Sequence, residues 1–156
     1  MTLLVPTYSR SEKLLCCFHS LANQTRYPDE IIFVVRDTDH ETQDALKSML
    51  KAFYYTKISP TVWGISSESG YLLKVVTVFQ ADKIAALDAG LAEATGDVIS
   101  IMGNTVIPHP RWLAHIESHF MENLNRDGDQ DWLYFADNLQ AVPGKLNLAY
   151  CREQVA

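Results

Sequence analysis

The stretch Thr95-Gly-Asp-Val-Ile-Ser-Ile-Met-Gly-Asn-Thr-Val-Ile-Pro-His-Pro-Arg-Trp-Leu113 runs an apolar segment into a polar loop and then into a helix start. Val98 to Met102 reads as a strand. Pro110 suits the first turn of the next helix, where a missing N–H costs nothing, and Trp112, Leu113, Ile116 and Phe120 share that helix's buried side. In an open α/β sheet the loop leaving a strand's C-terminal end faces the ligand crevice, which places Gly103, Asn104 and Thr105 where a site is expected. None of the three is acidic.

The same grammar extends in both directions. Thr2 to Val5 is β-favouring and stops at Pro6; Ser9 or Ser11 can then cap a helix carrying Leu14, Leu15, Phe18 and Leu21 at helical spacing. After Tyr27-Pro28-Asp29, the run Glu30 to Val35 is continuously apolar beyond its first residue, as expected of a strand buried on both faces. The polar loop Arg36-Asp37-Thr38-Asp39-His40 leads to a helix over Thr42 to Phe53, with Ala45, Leu46, Met49 and Leu50 on one face. Tyr54 to Gly70 shows no period, and its Ser, Pro, Thr and Gly content marks an irregular insertion.

Tyr71 to Phe79 is a third strand, followed by a helix over Ala81 to Ala94 with Ile84, Leu87, Leu91 and Ala94 inward and Lys83 near its start. Beyond a polar break at Asn123 to Gln130, Trp132 to Ala136 and Lys145 to Tyr150 read as strands around a Pro143-Gly144 turn. Strands alternating with helices predict a mostly parallel, doubly wound sheet in a three-layer α/β/α arrangement, with one domain covering residues 1–156.

Composition narrows the function. The chain is 47% hydrophobic and 21% charged, and its net charge of −6 argues against nucleic acid or an anionic membrane as the main partner. No apolar run reaches the roughly 18 residues of a membrane span, and the N-terminus lacks the pattern of a signal peptide, so a cytoplasmic protein is expected. Cys16, Cys17 and Cys151 form no C-x-x-C pair, which disfavours a zinc knuckle or disulfide framework.

Several chemistries lack their residues. There is no G-x-S-x-G elbow and no phosphate loop of the G-x-G-x-x-G or G-x-x-x-x-G-K-[ST] kind. The acidic alternation Asp127, Asp129, Asp131 lies in the break between helix and strand and reads as a solvated turn; an EF-hand would need Gly and Glu at positions where neither stands. His109, His115 and His119 are spaced to share a helical face, but their neighbours Trp112 and Phe120 make them core-boundary residues before they are metal ligands.

Four segments taken together carry a resemblance. They are Val5-Pro6-Thr7-Tyr8-Ser9-Arg10, the Asp37 loop, Ala86-Leu-Asp-Ala-Gly-Leu-Ala-Glu-Ala-Thr-Gly-Asp-Val-Ile99, and Pro108-His-Pro-Arg-Trp-Leu113. In this order the chain resembles family 2 glycosyltransferases of the GT-A fold, a Rossmann-like architecture, and Asp131 to Asn138 followed by Pro-Gly-Lys145 resembles the family's next strand and hairpin.

The resemblance implies transfer of a sugar from a nucleotide-diphosphate donor, a UDP- or GDP-sugar. It places Thr7, Tyr8 and Arg10 in the nucleotide pocket, Asp37 against the base or ribose, and Lys83 near the diphosphate. A carboxylate only accepts hydrogen bonds, which suits an imide N–H or a hydroxyl, and a tyrosine ring can stack on a base. Arg36 stands where the family usually has its first Asp. The family's D-x-D acids bind Mg²⁺ or Mn²⁺, a cofactor whose acidic ligands are missing from Gly103-Asn104-Thr105.

The family's general base sits on an acceptor-side segment after the hairpin, and that segment would begin about where this sequence ends; no base is identified in the chain. An enzyme, alone or completed by a partner chain, is one expectation. A nucleotide-binding module without transfer is the second, and a structural or regulatory relic of the fold, with room for a homodimer, is the third.

Overall fold

A computed structural model of the 156-residue chain describes residues 1–7, 11–50, 56–66, 72–104, 107–127, 132–135, 141–143 and 148–151. The chain opens with β1 (Thr2–Pro6), α1 (Ser11–Ala22), β2 (Glu30–Arg36), α2 (His40–Leu50), β3 (Thr56–Lys57), β4 (Val62–Ser66) and β5 (Leu72–Val78). It continues through α3 (Lys83–Glu93), β6 (Ile99–Met102), α4 (Trp112–Asp127), β7 (Trp132–Phe135), β8 (Ala141–Pro143) and β9 (Leu148–Cys151). The strands form one sheet in the order β3-β4-β5-β2-β1-β6-β9-β7-β8.

The centre of the sheet is parallel. β1 runs between β2 and β6, with Val5 opposite Phe33 and Leu4 opposite Ile101, and β5 lies parallel to β2 on its other side. Parallel strands need crossovers that place helices on both faces, which explains their apolar character on both sides. Alternate residues sort accordingly. Leu3, Val5, Ile31, Phe33 and Val35 pack with Leu14, Cys17 and Leu21 of α1, Leu46 and Leu50 of α2, and half-buried Trp112 of α4. Leu4, Ile32, Val34, Val76, Ile99 and Ile101 face Ala86, Leu87, Ala89 and Leu91 of α3. This is the three-layer GT-A-like architecture the sequence predicts.

Two polar devices hold the layers in register. Gln24, just past α1 and 2% exposed, donates through Nε2 to His109 O at 2.9 Å. Its Oε1 accepts from Leu113 N at 3.2 Å, satisfying a backbone donor in the first turn of α4. Asp39 opens α2 by accepting from Thr42 N at 3.1 Å and from Thr42 Oγ1 at 2.7 Å.

Three expectations are corrected. The stretch that shows no period contains β3 and β4, which pair antiparallel with each other and extend the sheet beyond β5; β3 is two residues long and Gly64 interrupts the apolar run of β4, so neither displays a strand's alternation. Leu15 is 50% exposed rather than inward, because Leu14, Cys17 and Leu21 already occupy the buried stripe of α1. Ile84 is 67% exposed, because the first turn of α3 projects beyond the strand ends and only the helix from Ala86 onward lies on the sheet. Among the described residues, no helix is long and apolar enough to cross a membrane.

Candidate functional site

The C-terminal ends of β1, β2, β5 and β6 converge beneath the N-terminus of α3. Between them lies a cavity of about 270 Å³ whose wall includes Thr7, Arg36, Gln80, Asp82, Lys83 and Asn104. Parallel strands end together on one edge, and the crossover to α3 starts from that edge, so loop residues distant in sequence meet there.

Local hydrogen bonds hold several of these residues in place. Thr7, 4% exposed, ties β1 to β2 through N and Oγ1, both donating to Val34 O at 2.8 Å. The turn after β2 is fixed by Gln43 of α2, whose Nε2 donates to Arg36 O at 2.8 Å and to Asp37 O at 3.0 Å. Asp37 N donates to Val78 O at 2.9 Å and continues the β2–β5 pairing. Asp82 is the N-cap of α3, with extended backbone and Oδ1 accepting from Ile84 N at 3.2 Å.

Against this well-bonded frame, some polar atoms have no partner among the described residues. Arg36 Nε, Asp37 Oδ1 and Asn104 Nδ2 are all buried and unbonded, and all stand at the ends of β2 and β6. A buried polar atom without a hydrogen bond costs about 1–3 kcal/mol, so each such atom calls for a partner; Ser100 Oγ and Trp112 Nε1, outside the cavity wall, are unbonded as well.

The structure brings together part of the set expected from the sequence. Thr7, Lys83, Gly103 and Asn104 line the cavity. Thr7 contributes packing and backbone order, since its hydroxyl proton is directed to Val34 O. Asp37 adjoins the wall through its neighbour Arg36 without being one of the lining residues. Tyr8, Arg10 and Thr105 lie outside the described residues, as do Asp129 and Asp131. His109 is exposed and its Nδ1 accepts from Arg111 N at 3.2 Å, away from the cavity wall.

Arg36, Gln43 and Asp82 were not singled out as site residues from the sequence. Arg36 was visible as a cation ending an apolar run, and Asp82 as a helix-opening acid; Gln43 carried no signal, because its role depends on the reach from α2 to the end of β2.

The donor set does not fit a divalent cation. Hard cations take several charged oxygens, yet Asp82 is the lone carboxylate among the described cavity-lining residues, and it already caps α3. Among the described residues, no group of three or more His, Cys, Asp or Glu side chains is arranged to hold a metal ion.

A parallel-centred α/β sheet with a cavity at its strand ends and one helix N-terminus beside it is the arrangement of Rossmann-like α/β domains, among them the GT-A fold. Residues 2–135 match the sequence model of glycosyl transferase family 2, and the chain belongs to that family. Its fold is similar to that of the mannosyltransferase PcManGT from Pyrobaculum calidifontis in complex with GDP-Man and Mn²⁺. The TM-score is 0.60 at 18% identity, covering 86% of this chain and 34% of that one. It is also similar to S. aureus TarS 1-349 in complex with UDP, with a TM-score of 0.56 at 19% identity, covering 92% of this chain and 38% of the other. The chain thus spans little more than a third of the length of either. No curated protein sequence matches it.

Proposed function

We propose that the chain is the donor-binding domain of a sugar transferase and that its cavity receives a nucleotide-diphosphate sugar. The observation that carries this reading is the cluster of partnerless buried atoms Arg36 Nε, Asp37 Oδ1 and Asn104 Nδ2 at the strand ends. They comprise two donors and one acceptor, and a nucleotide sugar presents both complements: phosphate oxygens that accept, and ribose hydroxyls or base N–H groups that donate. Lys83, exposed on the cavity wall at the start of α3, adds a cation at a helix end that favours anions. Family membership and the GDP-Man and UDP complexes of the two structural neighbours support the same ligand class.

Transfer itself needs a base positioned against the acceptor hydroxyl, worth about 10²–10⁴-fold in rate. A second reading, a binding module without transfer, is favoured by the acid-free residues Gly103 and Asn104 after β6. Calorimetry with UDP, GDP and their sugars, with and without Mn²⁺, tests the shared claim. Binding is expected, and its absence at millimolar ligand overturns both readings. Release of nucleotide diphosphate from the sugar donor over many turnovers then selects the enzyme over the module.

A further inference from the structure

The described residues of the cavity wall carry three formal charges, and two are positive: Arg36, Lys83 and the capping carboxylate Asp82. In a chain of net charge −6 this is a local reversal of sign. We infer that the site binds a diphosphate group without a divalent cation, using the Arg36 guanidinium, the Lys83 ammonium and the Asn104 amide in place of a metal. The inference rests on the reading of this cavity as a nucleotide-diphosphate site.

Asn104 supplies the first argument. Its side chain is 5% exposed, it lines the cavity, and Nδ2 has no partner among the described residues. An amide nitrogen donates only, so a metal ion cannot satisfy it and a phosphate oxygen can. Arg36 supplies the second. Guanidinium has five N–H donors and no acceptor, its buried Nε is unbonded, and its planar fork matches a phosphate group.

The third argument is the position of Lys83 as the first residue of α3. The start of the helix, through Asp82 and Lys83, forms part of the same wall, and Asp82 Oδ1 accepts from Ile84 N. Helix end, ammonium, guanidinium and amide are all anion-directed. Asp37, next to Arg36 in the chain, also has a buried carboxylate oxygen without a partner among the described residues, which suits a hydroxyl or base N–H donor.

The test is calorimetry of the full chain with UDP and GDP in excess EDTA and in Mn²⁺, beside uridine and guanosine. Diphosphate affinity is expected to differ by no more than about twofold between the two buffers. Arg36→Gln and Lys83→Gln are each expected to weaken it roughly tenfold or more, the loss of a charge-assisted hydrogen bond, while leaving nucleoside binding unchanged. Circular dichroism checks that the variants are folded. If Arg36→Gln does not fold, Lys83→Gln, on an exposed side chain, carries the comparison.

Binding of UDP or GDP that appears only with Mn²⁺ overturns the inference and leaves the donor-site reading standing. Folded variants that bind diphosphate in EDTA as tightly as the parent overturn it equally. Failure of every nucleotide to bind in either buffer removes the donor-site reading, and the inference with it.

Discussion

Lys74 Nζ lies 2.9 Å from Glu30 Oε1, with 10% and 3% of the two side chains exposed. The pair sits at the opposite edge of the sheet from the cavity and joins the start of β2 to β5 and the end of α3. Glu30 Oε2 accepts from Thr2 Oγ1 at 2.6 Å and from Thr95 N at 2.9 Å, and Lys74 Nζ donates to Glu93 O at 2.7 Å. Burial alone pushes the Glu30 carboxyl up; the bonds from Thr2, Lys74 and Thr95 and the ammonium charge outweigh it and hold the group below the ordinary glutamate value of 4.5.

A depressed carboxylate stabilises the fold above the unfolded value, and that contribution is lost as pH falls through the folded one. Glu30→Ala strands the Lys74 ammonium in a buried site and is expected to cost about 3–5 kcal/mol at neutral pH. Urea unfolding of both proteins from neutral to acid pH checks this. The gap between parent and variant should narrow below the ordinary glutamate value; a gap independent of pH would show that Glu30 acts by packing alone.

Gly96 lies against the same network. A Cβ there would stand 2.7 Å from both Thr2 N and Thr2 Oγ1 and 3.0 Å from Met1 C, and Gly96 N already donates to Thr2 Oγ1 at 2.9 Å. The obstructing atoms include backbone fixed in the sheet, so relief requires β1 to shift. Gly96→Ala should destabilise by about 1–3 kcal/mol, whereas Asp97→Ala, on an exposed neighbour, should stay within about 0.5 kcal/mol. Thermal unfolding of the two variants separates them.

Adjacent cysteines on α1 should react very differently. Cys16 is exposed, while Cys17 is 1% exposed and its thiol is pushed up to about 12, first by burial and then by Cys16. The thiolate is the reactive form, so limiting iodoacetamide at mildly alkaline pH should alkylate Cys16 and spare Cys17 in the folded chain. Fragment-ion mass spectrometry distinguishes the two positions, and denaturant should abolish the selectivity. Early labelling of Cys17 would contradict its place in the core.

Asp37 and Lys83 address different ends of the proposed ligand. Asp37→Ala removes the acceptor for a base or ribose donor and is expected to weaken both UDP and uridine, or GDP and guanosine, by roughly tenfold. Lys83→Gln should weaken the diphosphates alone. Calorimetry on the four ligands checks the pattern. Unchanged affinities in Asp37→Ala would remove Asp37 from the site and leave the cavity's anion-directed side intact.

Much of the fold was legible because its causes are local. The apolar run from Ile31 to Val35 can hardly be anything but a strand covered on both faces, and Pro110 followed by Trp112, Leu113, Ile116 and Phe120 spells out a helix and its buried stripe. Where local pattern and tertiary packing diverge, the sequence misleads. Leu15 and Ile84 fit a helical stripe by spacing, yet each lies beyond the strip of helix that touches the sheet. The hairpin of β3 and β4 exists because the free edge of β5 offers a ladder of backbone groups, a reason not written in residues 56–66 themselves.

Of the candidate site, the place of Asn104 follows from the rule that strand ends face the crevice, Lys83 was named from its helix start and the family resemblance, and the acid-free Gly103-Asn104 was plain in the sequence. What the sequence by itself determined was the alternation of the central strands and helices, the resemblance to the family and the acid-free residues Gly103 and Asn104 after β6, all properties of neighbours along the chain. Only the tertiary structure decided which polar atoms find partners: Glu30 meets Thr2 and Thr95 across 28 and 65 residues, while Arg36 Nε, Asp37 Oδ1 and Asn104 Nδ2 meet none among the described residues. Hydrogen bonding depends on ångström-scale approach between distant segments, and composition or periodicity does not encode that approach.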